Sequence, residues 1–212
     1  MQPNMSNTPA SADSPRRGWR SIVRWLLFRL LLPLAACMVF GTVCHEIVGH
    51  GLTGVWFGGT ITDVEILGAR VYPQLEWLGW SGYYGRIWVD GIASERGEHW
   101  MSFGGAASTW LVSVIAVCLL WMRQWRGRAR RVLAWLGIWW IDIFTYLMPS
   151  WGLKRSILWG GTRSEPYEAA VALGAPGWAV QIGIVGSCTV LAIALVVRLR
   201  MTRMGTAMPA RQ

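Results

Sequence analysis

From Pro33 to about Phe57 the chain is apolar except for one cluster, Cys44-His45-Glu46-Ile47-Val48-Gly49-His50-Gly51. Two of the three histidines in the protein lie here, with a glutamate between them. An apolar run of this length suits a bilayer core, which takes about 20 helical residues. Ionisable side chains inside such a run are costly unless something satisfies them, and for paired imidazoles that is typically a metal. The stretch is therefore expected to hold a zinc ion inside a membrane. The alternative is a satisfied polar cluster that stabilises a helix bundle.

Composition enters where it separates function classes. The chain has 212 residues, enough for one domain, with 53% hydrophobic and 15% charged residues. Soluble domains carry about 25% charged residues, so the shortfall favours a membrane protein. The 16 tryptophans agree, because Trp concentrates where bilayer meets water. The net charge of +9 does not form a basic face on a soluble domain. Its arginines flank the apolar runs in short blocks, which argues against a nucleic-acid partner. Cys37, Cys44, Cys118 and Cys188 show no metal-ligand spacing and read as small buried side chains.

Residues 1–15 are polar, rich in Pro, Ser and Asn, and expected to be disordered. Arg16, Arg17, Arg20, Arg24 and Arg29 then punctuate apolar residues, as in an interfacial amphipathic helix or the basic start of a first span. Leu34-Ala35-Ala36-Cys37 matches a lipoprotein-type cleavage site. Against processing there, Arg29 leaves a short apolar core and the chain stays apolar beyond Cys37. The expectation is a retained first span from Pro33 to about Trp56, ended by Gly58-Gly59, with His45 near mid-depth.

Residues 60–100 change character. Thr60-Ile61-Thr62-Asp63-Val64-Glu65-Ile66 alternates with the period of a strand, and shorter strand-like pieces follow near Arg70–Tyr72 and Arg86–Val89. A small sheet outside the bundle is expected, acidic overall because Asp63, Glu65, Glu76, Asp90, Glu95 and Glu98 outnumber Arg70, Arg86 and Arg96. Trp100 to Met122 is an uncharged second span, opening with the small residues Gly104-Gly105-Ala106-Ala107-Ser108 that permit close helix approach. The third span covers about Val132 to Leu147 and carries one charge, Asp142; the fourth runs from Trp178 to Val197. The leader, the Arg123–Arg131 loop and the C-terminal tail hold most of the 20 basic residues. With both termini cytoplasmic, four spans put all three blocks inside and the acidic strands outside. The arginine loop would also meet anionic lipid.

His45, Glu46, His50 and Asp142 form the expected site. Zinc takes four ligands, and catalytic sites keep one position for water. His45, His50 and Asp142 would be the ligands, with Glu46 as the base that takes a proton from water. Glu165 and Glu168 read as a solvated helix start, Glu168 being a reserve ligand, and His99 as a lone interfacial histidine. The spacing of the motif is unusual. In H-E-x-x-H the histidines stand four apart on one helical face. Here they are five apart, which on an α-helix turns them about 140° from each other. A π-bulge absorbs one such extra residue, so a bulge or local unwinding is expected between His45 and His50.

His45-Glu46-x-x-Gly49-His50 on an early apolar helix, the strand region after it, the Gly104–Ser108 start and the late Asp142 together resemble the site-2 protease type of intramembrane zinc metallopeptidase, the M50 family. The resemblance spans roughly residues 33–175. It implies that His45, His50 and Asp142 bind zinc and that Glu46 is the catalytic base. The longer H-E-x-x-G-H motif is shared with the soluble dipeptidyl peptidase III family. The usual Pro and Asn of the Gly-rich motif are replaced by Ala and Ser/Thr, and the usual Asp-Gly by Asp142-Ile143. That is the pattern of a divergent subfamily.

The expected fold is thus an all-α polytopic membrane domain over residues 16–198, with about four spans and a β insertion at about 60–100, followed by a basic tail (199–212). The expected function is a zinc endopeptidase of a bacterial-type plasma membrane, cutting in or near a span of a membrane-protein substrate. That substrate would unwind or add as a strand to the residue 60–90 sheet. A non-catalytic metal-binding scaffold or chaperone is the main alternative. A metal or proton transporter would call for more intramembrane carboxylates than Glu46 and Asp142.

Overall fold

The structure, a computed structural model, describes residues 16–155 and 162–204. The expected disorder of residues 1–15 and the end of the basic tail (205–212) lie outside those residues. Among the described residues, four helical stretches are long and apolar enough to cross a membrane: Ser21–Trp56, Glu95–Met122, Gly127–Trp151 and Gly177–Met201. The first begins earlier than the expected Pro33, and the last continues into the basic tail as far as Met204.

The chain divides into two units, Met1–Ala36 and Cys37–Gln212. In the first, α1 (Arg16–Leu26) leads into a π-helical turn (Leu27–Leu31) and the start of α2 (Leu32–Val43), whose residues from Cys37 on belong to the second. The turn is marked by the Leu32 N–H reaching back five residues to the Leu27 carbonyl. It ends just before Pro33, whose missing N–H and bulky ring disturb an α-helical ladder at this point. Trp19, Ile22, Val23, Trp25, Leu26 and Leu27 are all exposed.

In the second unit the helical run continues as a π-helix (Cys44–Gly51) and α3 (Leu52–Trp56). Gly58, at φ +88°, ends it with a left-handed residue. A four-stranded antiparallel sheet follows, in the order β3-β2-β1-β4. Its strands are β1 (Thr60–Ile66), β2 (Ala69–Tyr72), β3 (Glu76–Trp77) and β4 (Gly85–Asp90). The alternation of β1 is realised in its burial: Val64 and Ile66 face inward. Leu67 and Gly68 both take positive φ, the two-residue turn that matches strand twist in a hairpin. Arg70 ties β2 to both neighbours, 2.9 Å from Asp63 and 2.7 Å from Glu76.

Ser94 caps α4 (Glu95–Met122), accepting the Gly97 N–H at 3.1 Å, with Glu95 and Glu98 in the first turn. Helix α4 crosses the π-helix backbone on backbone. A methyl on Gly49 would stand 2.5 Å from the Gly105 Cα and 2.6 Å from the Gly104 carbonyl oxygen. The small-residue run is therefore a packing device, as expected.

The third apolar segment is not one helix. It breaks at residues 137–139 into α5 (Gly127–Leu136) and α6 (Trp140–Leu147), followed by a 3-10 turn (Met148–Trp151). The break frees backbone groups inside the protein, where they must find partners. Ser113 of α4, fully buried, mends it: its Oγ accepts the Trp140 N–H at 2.8 Å and donates to the Leu136 carbonyl at 3.1 Å. Helices α7 (Glu165–Ala172) and α8 (Gly177–Met204) complete the unit. Its core comprises Ala106, Ile143, Tyr146, Leu147, Ile184 and Cys188, with a second cluster of Val117, Leu120, Leu191 and Leu195. Of the cysteines, Cys188 is buried as expected, whereas Cys118 lies exposed on the outer side of α4.

Candidate metal centre

The five-residue spacing of the histidines is answered by the backbone. Residues 44–51 are wound as a π-helix, in which hydrogen bonds join i to i+5, so residues five apart stack as residues four apart do on an α-helix. The Leu52 N–H bonding to the Ile47 carbonyl shows that register. The expected bulge is thus present and extends over two turns. It brings the Nε2 atoms of His45 and His50 to 3.1 Å, both rings buried.

The opposite side of each ring is tied down. His50 Nδ1 lies 2.7 Å from the Met101 carbonyl oxygen, which can only accept, so Nδ1 carries the hydrogen. His45 Nδ1 lies 2.7 Å from Asp142 Oδ2, which also accepts from Thr109 Oγ1 at 2.8 Å. Arg155 Nη2 stands 3.4 Å from the other oxygen of Asp142. With both Nδ1 atoms donating, the neutral form of each ring leaves its Nε2 lone pair free to bind a cation. In that form a cation between or beside the two Nε2 atoms would satisfy both lone pairs.

Gly105 makes room for this arrangement. A Cβ there would meet His50 Nε2 at 2.3 Å and His45 Nε2 at 2.6 Å. Glu165, at the start of α7, brings Oε2 to 3.7 Å from His50 Nε2. His45, His50 and Glu165 each offer one donor atom, all within 4.8 Å of one another, and can hold a metal ion. The donor set of two imidazoles and a carboxylate suits a borderline divalent metal such as zinc.

Asp142 is close to the site but differently placed from the expected third ligand. It sits behind His45, on Nδ1, the position of a carboxylate that orients a ligating imidazole and raises its basicity. Among the described residues, the carboxylate that groups with both imidazoles as a possible third donor is that of Glu165, expected to be a solvated helix start. Burial pushes its carboxyl above the ordinary carboxylate range, against nearby positive charge that includes Arg155 and Arg163. What carries Glu165 inward is its neighbour. Ser164 is buried, and its hydroxyl donates to the Tyr146 carbonyl at 2.6 Å, pinning α7 to α6. Glu168 remains outside the donor group and accepts the Ser164 N–H at 3.0 Å.

Glu46 is buried beside the histidines, and its Cγ fills the space in front of Gly85 on β4, where a Cβ would come within 2.5 Å. It lies within the electrostatic reach of His45, Glu165 and Asp142. His99 stands apart, near Glu95 at 3.8 Å, as the bland reading of a lone histidine expects. Tyr146, which the sequence did not single out, stacks on His45 with ring centroids 5.1 Å apart and points its hydroxyl at His45 Nε2, 3.2 Å away. Set beside protein-family models, curated proteins and solved structures, the chain matches none of them.

Proposed function

We propose that the chain is a zinc-dependent intramembrane endopeptidase, held in a bilayer by its four apolar helices. One observation carries the reading: two buried imidazoles bring their Nε2 atoms within 3.1 Å of each other, with a third donor, Glu165, beside them. His45, His50 and Glu165 would hold the metal, and Asp142 would fix the ring of His45. Bound there, zinc would supply Lewis acidity, lowering the pKa of a water and polarising a carbonyl.

The remaining chemistry falls to the chain. Glu46 takes a proton from water as the water oxygen bonds to the amide carbon. It then returns that proton to the amide nitrogen as the C–N bond breaks, leaving a carboxylic acid and an amine. Strand β4 forms the end of the sheet order and its Gly85 touches Glu46, so an extended substrate added to that strand would run past the base. The arginine blocks favour cytoplasmic termini. The non-catalytic alternative, a metal-binding scaffold, shares the metal but not the need for Glu46.

The test is metal analysis joined to hydrolysis of a transmembrane reporter peptide in detergent. Glu46→Gln is expected to keep one zinc per chain and lose hydrolysis, whereas His50→Ala and Glu165→Ala lose the metal. Hydrolysis undiminished in Glu46→Gln would refute the mechanism.

A further inference from the structure

The hydroxyl of Tyr146 has a place in the site that the peptidase reading does not use. It is buried on α6, and its partner among the described residues is His45 Nε2 at 3.2 Å. Its ring has little freedom. The imidazole of His45 stacks on it, with planes 14° apart, and the guanidinium of Arg155 lies 3.2 Å from its centroid. A metal on His45 would occupy the lone pair that this hydroxyl now faces. The O–H would then be a buried donor lacking an acceptor, which is costly in a site of this kind. It would stand about one hydrogen-bond length from a metal ligand, with a cation over its ring to polarise it.

An acceptor that meets this need is the carbonyl oxygen of a bound substrate, which gains negative charge as water adds to the carbon. We infer that Tyr146 is a catalytic residue that donates a hydrogen bond from its hydroxyl to that oxygen. Resting on the metallopeptidase reading, this makes the site's charge-stabilising donor a neutral phenol, which costs less to keep in an apolar segment than a lysine or arginine head group. Donors of this kind act by being aimed, before reaction, at the atom where charge develops.

The experiment uses the full chain in detergent with Co2+ as a coloured stand-in for zinc. It titrates acetohydroxamate, whose oxygens mimic the charged carbonyl, and 2-mercaptoethanol, whose thiolate is a poor hydrogen-bond acceptor. Tyr146→Phe keeps the ring packing and is expected to bind one Co2+ per chain as the wild type does. Its acetohydroxamate affinity should fall at least tenfold while its thiolate affinity stays the same. Equal acetohydroxamate affinity in the variant would overturn the inference and leave the metal centre standing. Loss of Co2+ from the variant would also overturn it, by making Tyr146 a support or ligand of the metal. If the wild type binds no Co2+, the metallopeptidase reading fails and this inference falls with it. Tyr146→Met serves in the same comparison if the phenylalanine variant does not fold.

Discussion

Gly105→Ala puts one methyl group at the centre of the site. The new Cβ would stand 2.3 Å from His50 Nε2, 2.5 Å from its Cε1 and 2.6 Å from His45 Nε2, where ordinary contact begins at 3.4 Å. Each ring must retreat by about 1 Å, and neither is free to do so. His50 is held by the Met101 carbonyl and His45 by Asp142, both at 2.7 Å. Breaking one such buried hydrogen bond costs about 1–3 kcal/mol. On its own helix the substitution would help, since Ala is favoured over Gly in a helix interior by about 1 kcal/mol. The sign of the stability change is therefore set by the rings, while the sign of the binding change is unambiguous. Metal affinity is expected to drop at least tenfold, since about 1.4 kcal/mol is a factor of ten. Titration against a competing chelator reads the affinity, and a thermal melt in the same detergent reads the fold. Gly186→Ala is the control: it lies in α8 with nothing within 4 Å of the new methyl, and should leave metal affinity unchanged. Wild-type metal affinity in Gly105→Ala would refute the geometry from which the site is argued.

Three further outcomes follow from the same geometry. Asp142→Asn should weaken metal binding by about 10–100-fold without abolishing it, as loss of an orienting partner does; complete loss, with Glu165→Ala unaffected, would return Asp142 to the ligand set. Ser113→Ala unmends the break between α5 and α6 and should lower stability by about 1–3 kcal/mol in a denaturation experiment, and an unchanged midpoint would contradict the role given to that hydroxyl. In metal-free protein, Glu165 holds its proton above the ordinary value of 4.5, so the folded state binds more protons than the unfolded one and stability falls as pH rises through that window. Glu165→Gln removes that slope, and its melting temperature should gain on the wild type from pH 4.5 upward; the opposite trend would refute the burial argument.

The parts of this structure that depend on local pattern were legible in the sequence. The apolar runs required long helices, the alternation through Thr60–Ile66 required a strand, and the five-residue spacing of His45 and His50 required a wider helical turn. What depends on the direction of a side chain was not legible. Asp142 was recognised as part of the site, but the side of the imidazole it would meet is decided by ring orientation, which spacing does not encode. Glu165 sits in a polar stretch that looks like any solvated helix start. One buried hydroxyl, that of Ser164 on the Tyr146 carbonyl, draws it inward. The break in the third segment has a visible trace, Gly137, but its repair rests on Ser113, a single small residue in another helix. Tyr146 follows Asp142 by one helical turn, a spacing that places both on the same face of α6. That was the available signal, and it becomes meaningful once Asp142 is known to face His45.

X-ray absorption at the zinc edge of metal-replete, detergent-purified chain shows whether the paired Nε2 atoms are a metal site. One zinc per chain is expected, with a shell of nitrogen and oxygen at about 2.0–2.1 Å that includes two imidazoles and no sulfur. A chain that binds no stoichiometric zinc would contradict that assignment. So would a sulfur neighbour at about 2.3 Å, which would draw Cys44 into the site.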